Sequence, residues 1–225
     1  MCNCSFLTRR HIILGLSAAA VMPIDISVAD GGNISVLGGQ VAINGNDLGT
    51  SSASPFTLSS AASGGVIQSR DQIFYLDPQS EADFYRTDDG LVSQIVIKTG
   101  GLLSLFGPER RGEIEIKTPN AVGAIRGTTT YFAWQEEERR SYVCCCYGGV
   151  DLSNNAGGEK VMRTRYHNAV ILPLEGGVAP APYDRPLAHY DDDIAALEER
   201  AGRTPRWDLP NNSMNFFAPH PVPLD

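Results

Sequence analysis

At 225 residues the chain is long enough for one domain of ordinary size plus tails. Hydrophobic residues make up 42% of it, which supplies a core and excludes global disorder. A formal net charge of −8 with no basic stripe argues against nucleic acid or an anionic membrane surface as a partner, and the 23 glycines and 14 prolines favour many short strands over long helices.

Residues 1–29 read as an address rather than as structure. Thr8-Arg9-Arg10-His11-Ile12-Ile13-Leu14 resembles a twin-arginine export signal, with Ile12 where Phe is common. The uncharged run Ile12 to Met22 is too short to span a bilayer, and the small residues Ser27-Val28-Ala29 suit cleavage before Asp30. A buried N-terminal helix and an uncleaved anchor are the alternatives. With cleavage, the mature chain has no transmembrane segment and its expected location is the periplasm. Proteins exported by this route travel folded, often with a cofactor already loaded.

From Asp30 to about Glu175 the pattern is β. Ile34-Ser-Val-Leu and Val41-Ala-Ile are strand candidates, separated by the turn Asn44 to Asp47 from a Ser/Ala-rich stretch, Ser51 to Gly65, that reads as a loop. Val66-Ile-Gln, Ile73 to Leu76, Ala82 to Arg86 and Val92 to Lys98 follow as strands, the last two joined by a hairpin turn at Asp88-Asp89-Gly90. Gly101 to Gly107 and Glu113 to Lys117 lead to Thr118-Pro-Asn-Ala-Val-Gly-Ala-Ile-Arg126-Gly-Thr-Thr-Thr-Tyr131-Phe. There Pro119 pushes Thr118 toward extended geometry. Gly123 and Gly127 are expected to supply unusual backbone angles, and Thr128 to open a strand. Arg126, at the turn, has five donors to tie down nearby carbonyls, so Arg126, Gly123, Gly127 and Thr128 form an expected structural corner. Tyr131 to Trp134 should pair with Tyr142 to Tyr147 across Gln135 to Arg140, and Gly148-Gly149 should turn the chain before Val150-Asp-Leu.

Cys2 and Cys4 fall in the leader, leaving Cys144, Cys145 and Cys146. Strand alternation places Cys144 and Cys146 on one face and Cys145 on the other. Neighbouring cysteines make a strained disulfide, and three cannot all pair within one chain. The first and third thiols, with His167 and with His189 or water, form a ligand set suited to zinc, copper or iron. Buried inert thiols and a redox pair are the competing readings.

Gly176 to Pro186, rich in Pro, Ala and Gly, reads as a surface linker. In residues 187–225, the stretch His189 to Arg203 holds a short amphipathic helix. Asp191 is its cap, Ile194, Leu197 and Ala201 are its apolar face, Gly202 its C′ residue and Pro205 its stop, with Trp207 as an anchor. The triple aspartate reads as a solvated helix start rather than a metal site.

Several of these segments resemble the FecR domain, a periplasmic β-rich module, and within it a group of exported proteins. The matching segments are Gly101-Leu-Leu-Ser-Leu-Phe-Gly107, Thr118 to Thr128, Tyr142-Val-Cys144-Cys-Cys146-Tyr-Gly148, His167, and His189 to Pro205. Tyr166 stands where that group carries a second histidine. The resemblance implies a mainly β roll or sandwich of many short strands with one short C-terminal helix. It also implies a non-enzymatic periplasmic module that binds or senses a partner protein or envelope component. Other members are sigma regulators, but the ten residues Met1 to Arg10 are too few to hold a sigma factor. No phosphate-cradling loop, Gly-x-Ser-x-Gly elbow or HExxH is present, so no enzyme reading stands out. The alternative function is a metal-binding or thiol redox protein centred on Cys144 and Cys146.

Overall fold

The protein is described by a computed structural model covering residues 34–44, 55–107, 113–126, 129–181 and 186–206. Residues 1–29, read from the sequence as an export signal, and Gly127, Thr128 and Trp207 lie outside the described residues. The described chain is mainly β, with one short C-terminal helix. Its strands are β1 (Ile34–Asn44), β2 (Phe56–Ser69), β3 (Gln72–Leu76), β4 (Glu81–Arg86), β5 (Val92–Leu105) and β6 (Ile114–Lys117). They continue as β7 (Ala121–Ile125), β8 (Thr129–Gln135), β9 (Arg140–Asn154), β10 (Glu159–Thr164), β11 (Asn168–Pro173) and β12 (Ala179–Pro180), followed by helix α1 (Asp191–Arg200). No described helix is long and apolar enough to cross a membrane.

Three strands are longer than the sequence suggests. Val92 to Lys98 and Gly101 to Leu105 form one strand of 14 residues, β5, and Tyr142 to Leu152 lie within one strand of 15 residues, β9. What read as a Gly148-Gly149 turn is a bend inside β9, and Gly100 bends β5. Both glycines have positive φ (74° and 102° for Gly100 and Gly148), which lets a strand change direction without ending. The Ser/Ala-rich stretch read as a loop is also strand from Phe56 onward. Its small side chains give no hydrophobic pattern, yet its backbone pairs with β1 on one side and β4 on the other. The hydroxyl of Ser60 adds a 2.5 Å bond to the Asp77 carbonyl.

Each long strand exchanges partners at its bend. The first half of β5 pairs with β4 and, in parallel, β6; the second half pairs with β3 and β8. The first half of β9 pairs with β8 and β11, the second with β7 and β10. One hydrogen-bonded network of 12 strands thus folds over onto itself as a roll. Phe74, Phe132, Val143 and Cys145 from one half meet Ile95, Ile116 and Ile125 from the other in the inner core.

Alternation sends every second residue of the β3–β5–β8–β9 half to its outer face. There Ile73, Leu103, Tyr131, Tyr142, Cys144 and Cys146 would meet water. Helix α1 covers them with Ile194 and Leu197, both at 0% exposure. The segment read as a linker contributes β12, which pairs with Val170 and Ile171 and carries the chain toward this face. At the start of α1 the cap is Tyr190, one residue before the expected Asp191, and Asp193 accepts the Tyr190 N–H at 2.9 Å. Gly202, at φ 67°, ends the helix as its spacing predicts.

Candidate metal centre

The centre begins with the pleat of β9. Cys144 and Cys146, two residues apart, project toward α1, while Cys145 projects into the inner core. All three thiols are completely buried, and none forms a disulfide. Strand β11 pairs with β9 so that Asn168 lies opposite Cys145, which sets the preceding residue, His167, beside Cys144. The turn before it is closed by Thr164, whose hydroxyl donates to the Tyr166 carbonyl at 2.7 Å.

His189 arrives from the other direction, on the segment that leads into α1. Ala188 stands there in the left-handed region at φ 53°, a conformation that costs a non-glycine residue free energy. This kink lets His189 Nδ1–H donate back to the Leu187 carbonyl at 2.7 Å, while the Leu187 N–H donates to the Tyr142 hydroxyl at 3.1 Å. The ring is held from below by Tyr131, stacked at 4.6 Å and 21°.

The four residues converge. Cys144 Sγ lies 3.4 Å from His167 Nδ1, and Cys146 Sγ lies 3.3 Å from His189 Nε2. All four donor atoms fall within 4.8 Å of one another. A tetrahedral site with metal–sulfur and metal–nitrogen bonds of ordinary length has a sulfur–nitrogen edge of about 3.5 Å, which these two sulfur–nitrogen distances match. Both imidazoles carry a partner on the nitrogen that points away from the cluster. His167 Nε2–H donates to Asp191 Oδ1 at 2.9 Å, and His189 Nδ1–H donates to a backbone carbonyl. That arrangement fixes the tautomer and orients each ring for ligation.

The electrostatics of the ion-free cluster agree. Burial pushes the Cys144 thiol up, but hydrogen bonds from Cys146 and His167 and the nearby His189 outweigh it and hold Cys144 well below the ordinary thiol range. Burial and the Cys144 charge push Cys146 well above that range. Burial lowers His167, yet its bonds to Asp191 and Cys144 prevail and raise it to about 9. The two shifts run in opposite directions, so Cys144 gives up its proton more readily than Cys146 does. Cys145, pushed up to about 12 by burial and by the Cys144 charge, is an inert core thiol.

Three residues of the surrounding shell escaped the sequence reading. Asp191, read as an exposed cap, is 6% exposed and accepts from both Tyr166 Oη (2.8 Å) and His167. Tyr166 thereby orients the carboxylate that orients the histidine. Tyr131 supports His189 and donates its hydroxyl to the half-buried Asp77. Asp191 was the most accessible of these to sequence reasoning, because it sits two residues after a candidate ligand.

The expected corner at Arg126 differs in kind. The guanidinium is exposed and grips carboxylates rather than carbonyls, with Nη2 donating to Glu113 at 2.9 Å and Nε to Asp151 at 3.0 Å. Its backbone N–H donates to the Gly149 carbonyl at 2.7 Å, which is what fixes the corner. Gly123 does not supply an unusual backbone angle. It lies inside β7, where an added Cβ would stand 2.4 Å from the Phe132 ring, so it is needed for close packing.

No family model matches the chain, and no curated protein matches it in sequence. Among solved structures it is similar to a Parabacteroides distasonis protein described as a proposed anti-sigma factor, at 10% identity and a TM-score of 0.48. The similarity covers 74% of this chain and 83% of that one.

Proposed function

We propose that this chain is an exported, non-enzymatic β module that holds one transition-metal ion between Cys144, Cys146, His167 and His189. One observation carries the reading: four soft or borderline donors, from three separate segments, meet at bonding separation in a buried place, each histidine held by an outer partner. Chance burial of cysteine does not bring two oriented imidazoles to two sulfurs. With four protein ligands no position stays open for substrate or water, which favours a structural or sensing role over catalysis. The ligands come from β9, the approach to β11 and the approach to α1, so the ion ties the helix to the sheet. The twin-arginine-like residues Arg9 and Arg10 support export to the periplasm after folding, which is how a protein keeps an ion acquired in the cytosol. The contact with a protein or envelope partner that the FecR resemblance implies is part of the same proposal, with the metal-stapled helix face as the surface to test first.

The test is elemental analysis of the untagged, folded protein. About one equivalent of a transition metal is expected, and Cys144→Ser with Cys146→Ser should abolish it; less than about a tenth of an equivalent in well-folded protein would remove the reading.

A further inference from the structure

Resting on the metal reading, we propose that the centre is a zinc(II) site and that Asp191 is the residue that favours the dication over monovalent copper. The geometry first removes other occupants. Each sulfur is paired with a different histidine, Cys144 with His167 and Cys146 with His189, at 3.4 and 3.3 Å. All four donor atoms lie within 4.8 Å of one another, with sulfurs beside nitrogens, whereas a two-iron cluster that mixes these ligands splits the histidines and the cysteines between two irons. Copper(II) prefers nitrogen and oxygen donors in a tetragonal plane, whereas two thiolates favour softer ions. Zinc(II) and copper(I) both accept a closed tetrahedron of two sulfurs and two nitrogens.

Charge separates those two. Two thiolates and two neutral imidazoles balance a dication and leave a monocation with one excess negative charge. Asp191 adds another. Both of its oxygens accept hydrogen bonds, from Tyr166 Oη and from His167 Nε2. Its side chain is only 8% exposed. The other acids nearby, Asp77 behind Tyr131 and Asp193 on α1, carry the same sign, and the cation Arg203 is bonded to Glu198 at 2.5 Å. The N-terminus of α1 offsets part of this charge. A buried site that is still more negative around a monocation is disfavoured, so each acid here selects for the higher ionic charge.

The test uses the full chain. Protein isolated from cells is expected to contain zinc, and its cobalt(II) form is expected to show the intense visible bands of a tetrahedral ion together with thiolate-to-cobalt charge transfer. Zinc(II) and copper(I) affinities are then measured by chelator competition. Asp191→Asn should weaken zinc by about 10- to 100-fold and copper(I) by clearly less, so the ratio moves toward copper, while Asp191→Glu restores it. Copper as the ion recovered from cells, or an octahedral cobalt spectrum, overturns the zinc assignment without needing any variant. Equal losses for both ions in Asp191→Asn overturn the selectivity role and leave Asp191 as a structural support. Failure to bind either ion defeats the underlying metal reading, and this inference with it.

Discussion

At the scale of single residues the centre is built by direction. The three adjacent cysteines differ only in which way the pleat points them, and that decides two ligands and one core residue. Alternation was legible because it needs no knowledge of what lies opposite. The set Cys144, Cys146, His167 and His189 was legible too, but which sulfur each histidine faces and what holds its ring were not, because they depend on the pairing of β11 with β9 and on the kink at Ala188. Ala188 is exposed and sits at φ 53°, where a β-branched side chain collides with its own backbone. Ala188→Val should therefore cost about 1–2 kcal/mol and displace His189, whereas Ala188→Gly should be tolerated or slightly stabilising. The readouts are denaturant midpoint and metal affinity. Loss of both in the valine variant and retention of both in the glycine variant is the expected pair, and equal behaviour of the two would mean that the kink does not position the ligand. Cys145 supplies the control: Cys145→Ala should lower stability through a small cavity and leave metal content unchanged.

At the scale of elements, the helix and the hairpins were readable because their signals are local. Ile194, Leu197 and Ala201 recur at helical spacing, Gly202 marks the stop, and Asp88-Asp89-Gly90 closes a hairpin. The long strands were not readable as single elements, since glycine inside β5 and β9 looks like a turn until the neighbouring strands are known. The serine-rich start of β2 failed for the opposite reason: strand pairing there rests on backbone bonds that leave no side-chain pattern. Helix α1 itself shows how these levels combine. Its apolar contact is small, and its C-terminal end is held by polar bonds, with Tyr147 donating to Glu198, and Arg203 bridging Glu198 and the Asp71 carbonyl at 2.5 and 2.7 Å. Leu197→Ala should cost about 2–5 kcal/mol as a fully buried truncation. Because the N-terminal end of α1 is tied through His189 and Asp191, bound metal should keep that end protected from amide exchange in this variant while the C-terminal end opens. Uniform loss of protection along α1 would show that the two ends are not separately fastened.

At the scale of the whole molecule, metal and proton both become terms in the stability of the roll. An ion that binds only the folded chain adds about 4 kcal/mol when its free concentration is a thousandfold above the dissociation constant, so a chelator should lower the melting temperature, and addition of metal should restore it. A second term comes from Asp77. Burial raises its carboxyl from 3.8 to about 6, against the lowering effect of the Tyr131 bond, and its Oδ1 has no hydrogen-bond partner among the described residues. Its folded value lies above its unfolded one, so the native state holds the proton more tightly. Between about pH 4 and 6 this residue therefore makes stability fall as pH rises, by about 2–3 kcal/mol in all, and the loss persists at neutral pH. Asp77→Asn keeps an acceptor for Tyr131 and removes the titration. With metal saturating both proteins, the stability of the variant relative to the parent should increase from pH 4 to pH 6 and then level off. Urea unfolding across that range measures the difference, and a difference that stays flat or falls would mean that Asp77 remains ionised in the fold at acid pH.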